Sequence, residues 1–135
     1  MRLTSLADYA VVVMAAAARR PTGARLSAGL LAAETGVPLP TAQRLMGRLA
    51  AAGLLESARG TGGGFRLARA ASGISLADII EAVEGPIAMT NCIEGSIHDC
   101  ALEGSCRVKP HLNAVNFAVR GALQGVSLAT LAEAR

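Results

Sequence analysis

Apolar residues recur with a helical period along most of this 135-residue chain. From Leu3 to Arg19, Leu6, Tyr9 or Ala10, Val13 and Ala17 share one face, and Thr4 or Ser5 can cap the helix they predict. Pro21-Thr22-Gly23 ends it. Ser27 caps a second helix, Ala28 to Thr35, and Gly36 suits the left-handed position that follows. Pro38 and Pro40 keep the next turn extended and preset a third helix from near Pro40. Its inner face carries Ala42, Leu45, Leu49 and Ala52. Thr41, Gln43, Arg44, Gly47 and Arg48 fall on the other side, and Gly53 is the stop. Leu54 to Ser57 and Phe65 to Ala68 are short apolar runs around Arg59-Gly60-Thr61-Gly62-Gly63-Gly64, the pattern of a β-hairpin.

Ser75 caps a fourth helix, Leu76 to Glu84, closed by Gly85-Pro86. The stretch that follows has glycines and few periodic apolar residues, so it reads as a loop. Pro110 opens a fifth helix to about Gln124, with Leu112, Val115, Val119 and Ala122 along one seam. So little chain remains to cover that seam that a partner subunit is the expected cover. Ser127 caps a last helix, Leu128 to Ala134. The predicted fold is mainly α with a small β-hairpin, a winged helix-turn-helix plus a long C-terminal dimerisation helix. Its regions are 1–86 for DNA binding, 87–109 for a cysteine-rich loop, and 110–135 for the dimerisation helix and the final short helix.

Composition agrees with helices. The chain is 52% hydrophobic but only 2% aromatic, so alanine, leucine and valine must build the core, and alanine and leucine favour helices. No apolar run approaches the roughly 20 residues that span a membrane. The opening MRLTSLAD, with one arginine and one acid, makes a poor signal-peptide head, so a cytoplasmic placement is expected. The net charge of +3 is uneven. Residues 1–73 hold nine arginines against Asp8, Glu34 and Glu56, and residues 74–135 hold four bases against seven acids. A basic front half points to a polyanionic partner there.

That partner fits the pattern. The major groove of DNA admits one helix and distinguishes all four base pairs. Gln43 and Arg44 stand near the start of the third helix, where such a helix meets base edges. Thr41 can reach a phosphate or a thymine methyl, and Arg48, one turn on, contacts backbone. The hairpin turn is the wing. Arg59, Thr61, Gly62 and Gly63 can approach the sugar-phosphate chain closely, because glycines leave the main chain bare. A phosphate-binding loop would need a lysine and a following helix, and neither is present. One module binds weakly. A homodimer reading two half-sites predicts a palindromic operator on double-stranded DNA.

All three cysteines, Cys92, Cys100 and Cys106, fall in one stretch with the spacing C-x7-C-x5-C. An odd count in a reducing compartment argues against disulfides. Structural zinc usually uses tight C-x2-C knuckles, whereas gaps of seven and five make a wider basket suited to an iron–sulfur cluster. Zinc, a metal-free thiol switch and cysteines without a cofactor remain alternatives on the residues alone. A thiol-based redox enzyme is the rival from another class, with His98 and Arg107 near the thiols. The absence of a CxxC and the presence of a wing argue against it, so the chain is expected not to be an enzyme. An architectural DNA-binding protein with incidental cysteines is a further alternative.

MRLTSLADYAVVVM, GVPLPTAQRLMGRLAAAGLLESARGTGGGFRLAR, ISLADIIEAVEG and the cysteine triplet together resemble the bacterial winged-helix regulators of the IscR, NsrR and SufR type, from Met1 to about Leu131. The resemblance implies a homodimer with a long helix crossing between subunits. It also implies an iron–sulfur cluster, 2Fe–2S or 4Fe–4S, on Cys92, Cys100 and Cys106. The first gap of seven resembles regulators of the SUF assembly pathway, which implies repression of cluster-assembly genes while the cluster is bound. The histidine that IscR-type members place three residues after the last cysteine is Lys109 here. Asp8 matches the aspartate that NsrR-type members supply from the other subunit, and is favoured over His98 and His111 as fourth ligand. A nitric oxide or redox-sensing repressor of the NsrR type is the alternative within the family, and a cluster-free member is another.

Overall fold

The computed structural model describes residues 2–58, 63–88, 101 and 103–133. Helix α1 (Ser5–Ala18) starts where the Thr4 hydroxyl accepts the Ala7 N–H at 3.1 Å. Its small side chains, Ala7, Ala10 and Ala15–Ala17, are buried along with Val13 and Met14. A helix clad largely in alanine lets neighbours approach closely, and α2, α4 and α6 all pack on it. Between Tyr9 and Ala10, which the periodicity left open, Ala10 turns inward and Tyr9 is exposed.

The Ser27 hydroxyl accepts the Leu30 N–H at 3.0 Å and starts α2 (Ala28–Thr35), and Gly36, at φ +82°, ends it. Val37 is buried in the turn to α3 (Leu39–Ala51). Helix α3 buries Ala42, Leu45, Met46 and Leu49, a stripe at i, i+3, i+4 and i+7. Met46 joins the inner stripe, and Ala52, expected to face inward, is exposed because the helix ends at Ala51 and Ala52 already belongs to its cap. Leu45 and Leu49 are wholly buried with Met14, Leu26, Leu31 and Ile79 in one core.

Strands β1 (Leu55–Ser57) and β2 (Phe65–Leu67) pair antiparallel, with Leu55 opposite Leu67 and Ser57 opposite Phe65. Leu26 adds a third, one-residue rung to the expected hairpin. Its N–H donates to the Phe65 carbonyl at 2.6 Å and its carbonyl accepts the Phe65 N–H at 2.7 Å. The wing is thereby rooted on the chain that enters α2.

Helix α4 (Leu76–Glu84) begins with a reciprocal cap. Ser75 Oγ accepts the Asp78 N–H at 3.0 Å, and the Asp78 carboxylate accepts the Ser75 N–H at 2.9 Å. Helix α5 (Lys109–Gln124) and helix α6 (Leu128–Glu133) complete the chain. A bridge between Ser75 and Ser127 ties the start of α4 to the start of α6. Leu128 is buried in the main core.

Helix α5 is clad differently. Among its described residues the buried one is polar, Asn116, while Val115 is 46% and Phe117 80% exposed. The seam of Leu112 and Val119 is only half-buried by this chain. No helix of the described residues is long and apolar enough to cross a membrane.

Candidate nucleic-acid interface

Helices α2 and α3, with the tight turn at Gly36-Val37-Pro38, form a helix-turn-helix, and β1 and β2 follow it as a wing. Pro38 and Pro40 supply no amide to be capped, and the first turn of α3 has no side-chain cap. Gln43 and Arg44 are exposed on α3, and Thr41 is half-buried beside them. Arg44 has no hydrogen bond or ion pair among the described residues, so its guanidinium remains available.

The other arginines of the front half divide by their bonds. Arg20 pairs with Glu34, Arg66 with Glu56 at 2.6 Å, and Arg69 with Asp78 at 3.4 Å. Arg19 donates to the Ala132 carbonyl at 2.9 Å, near the end of α6. Arg48 donates to the Val83 carbonyl at 2.9 Å, at the end of α4. The basic excess seen in the sequence is thus partly spent inside the fold. Sequence reasoning gave no warning of the Arg48 bond, because its partner is 35 positions away.

At the wing, Arg59, Thr61 and Gly62 lie outside the described residues. Gly63 and Gly64 are described, with φ of +53° and +111°. A Cβ on Gly64 would stand 2.7 Å from the Leu26 carbonyl oxygen and 3.0 Å from Arg25 Cγ. Gly64 is therefore demanded by the docking of the wing on Leu26, while nothing lies within 4 Å of a Cβ on Gly63.

The cysteine chemistry is only partly in view. Cys92, His98 and Cys100 lie outside the described residues. Cys106 is a free, half-buried thiol, just beyond a single 3-10 turn at Glu103–Ser105. His111 is exposed in the first turn of α5. Asp8 is exposed in the first turn of α1, and its carboxylate has no partner among the described residues. Among the described residues no three His, Cys, Asp or Glu side chains are grouped for a metal ion. A soft sulfur at Cys106 and a carboxylate at Asp8 with no partner among the described residues are donors of the kinds that iron accepts.

The start of α1 and the end of α4 meet. The Thr4 N–H and hydroxyl both bond the Glu84 carboxylate. Next to them, Glu81 accepts the Ile87 N–H at 3.0 Å and pairs with Arg120 of α5 at 2.7 Å. The hydrogen bond that Arg120 donates to Glu81, and then the charge of Glu81, raise the Arg120 guanidinium above its ordinary value. A cleft of about 430 Å³ opens beside this junction, lined by Leu3, Ile80, Ile87, Val119 and Leu123 among others.

Comparison with known proteins gives this architecture its kin. A model of the Rrf2 family, described as an iron-dependent transcriptional regulator, matches residues 3–134. Protein aau3 of Rhizobium meliloti (strain 1021) is 36% identical over 136 residues, covering 100% of this chain and 87% of aau3. The crystal structure of the oxidized form of Staphylococcus aureus CymR matches with a TM-score of 0.72 and 27% identity, covering 100% of this chain and 98% of that one. The structure of T. potens IscR matches with a TM-score of 0.72 and 24% identity, over 97% of this chain and 85% of that one, a likeness of fold. The winged-helix architecture and the near-complete family match lead to one assignment: the chain belongs to the Rrf2 family of iron-dependent transcriptional regulators.

Proposed function

We propose that the protein is a homodimeric repressor that reads a palindromic operator and senses iron–sulfur cluster status to control cluster-assembly genes of the SUF type. The observation that carries the DNA half is Arg44, exposed and without a partner among the described residues, beside exposed Gln43 on α3 and next to the rooted wing. Glutamine can make paired bonds to adenine and arginine to guanine, and Thr41 is near enough to hold a phosphate. Arg59, Thr61, Gly62 and Gly63 form the wing's approach to the backbone.

A second copy of the chain is the natural cover for Val115 and for Phe117 of α5, the most exposed of the large apolar side chains among the described residues. Two copies then set the spacing of two half-sites.

Cys92, Cys100 and Cys106 would hold the cluster, with Asp8 of the partner subunit as the fourth ligand. When bound, the cluster supplies a redox-labile centre whose presence reports on iron and oxidants. The chain's own part is to place Asp8 on the helix whose cap is tied through Thr4 to Glu84, so that the ligand and the end of α4 move together.

The test is anaerobic purification with an absorption spectrum and iron and sulfide counts, followed by operator binding with and without the cluster. Coloured protein whose affinity changes on cluster loss is expected. Colourless, iron-free protein that holds DNA equally under all redox conditions refutes the sensing role. Transcripts in a deletion strain separate SUF-type genes from the nitric oxide detoxification genes of the NsrR-type alternative.

The free Cys106 thiol and the likeness to a CymR solved in an oxidized form favour one second reading, a metal-free thiol switch. It predicts colourless protein whose DNA affinity falls on mild oxidation and returns with reductant.

A further inference from the structure

The last turn of α4 is where four elements are tied together. Gly85 N–H closes the helix on the Glu81 carbonyl at 2.9 Å. The next carbonyls are the orphans that every helix end leaves. The Val83 carbonyl is taken by Arg48 from α3, and a cation at a helix C-terminus also suits the dipole. The Ile87 N–H, which would have continued the helix onto Val83, is instead held by the Glu81 side chain. The Ile87 carbonyl accepts from Asn116 of α5 at 3.0 Å, so both polar main-chain groups of this residue are held. Glu81 also grips Arg120 of α5, and Glu84 grips Thr4 of α1. Arg48 and Glu81 line one cleft together with Ala51, Ala52, Ala82 and Val83.

We propose that Arg48 is a positioning residue of the DNA-reading helix and not a DNA contact, and that Glu81 is its counterpart on α4. Together they make the end of α4 a joint that sets how α3 is presented.

This inference rests on the operator reading proposed above, and the experiment separates the two. Full-length native protein is first used to select duplexes from a random pool. If no sequence is enriched, operator reading fails and this inference with it. With an enriched duplex and a scrambled one of equal length, binding is measured across salt for Arg48→Met, Glu81→Met and the double variant. Methionine keeps the apolar stem while removing the charged head.

Each single variant is expected to lose about tenfold on the selected duplex. Affinity for the scrambled duplex and the salt slope should stay unchanged. The double variant should lose no more than the weaker single one, as residues in one network do. If Arg48→Met flattens the salt slope by about 0.9 and weakens both duplexes alike, Arg48 is a phosphate contact and the proposal is overturned. Losses that multiply in the double variant overturn the joint.

One measurement needs no variant. In the native protein the Ile87 amide should exchange more slowly when the selected duplex binds, and not when the scrambled one does. Equal exchange in the two complexes overturns the coupling.

Discussion

Gly64 is packed so tightly on Leu26 that a Cβ there would lie 2.7 Å from the Leu26 carbonyl oxygen. Its φ of +111° is also a conformation that L side chains rarely adopt. Two penalties therefore fall on one substitution, and both act on the root of the wing. Gly64→Ala is expected to lower stability by about 1–3 kcal/mol in denaturant melts. It should also weaken operator binding by displacing the wing. Gly63→Ala, with φ +53° and open space around it, should cost only about 1 kcal/mol.

Neighbouring positions on α3 should behave oppositely. Arg44→Ala removes an exposed group that has no partner among the described residues and should leave the melting temperature unchanged. It should cost about 1–3 kcal/mol of operator discrimination. Leu45→Ala empties a wholly buried site and should cost about 2–5 kcal/mol of folding free energy. A thermal melt beside a mobility-shift titration separates the two effects.

The exposed Asp8 carboxylate has no partner among the described residues, so Asp8→Ala should fold with near-native stability. Anaerobically loaded variant should lose its cluster faster in air and show an altered spectrum. Unchanged spectrum and lability would remove Asp8 from the ligand set.

Arg120 gives a prediction about pH. Its hydrogen bond with Glu81 raises the guanidinium above its unfolded value. A group whose folded value is raised contributes stability that is whole below the unfolded value and lost as pH climbs through the folded one. For an arginine that loss begins only above about pH 12. The stability deficit of Arg120→Met should therefore be the same at about pH 7 and about pH 10. A deficit that shrinks over that interval would show another titrating group at the joint.

Much of the architecture was legible in order along the chain. Thr4, Ser27 and Ser75 announce helix starts because their hydroxyls satisfy amides a few residues away. Gly36 marks an end because it alone takes the left-handed turn cheaply. Periodicity found Ala42, Leu45 and Leu49 of the α3 stripe, while Met46 fills it out at i+4 and Ala52 falls outside because the helix ends at Ala51. Gln43 and Arg44 were legible as an exposed pair for the same reason.

Such short-range signals make the order helix, helix, hairpin readable along the chain, and the crowding of the cysteines is there to be seen as well. What Arg48, Glu81 and Gly64 touch emerged with the folded chain. Their partners Val83, Arg120 and Leu26 sit on other segments, and contacts between distant segments leave no period in a sequence. Asn116 shows the same limit, since a polar residue in an apolar helix looks like surface until the Ile87 carbonyl is placed against it. Local structure follows from forces a few residues long, while the joint that links the helices is made by groups that meet only after the chain has folded.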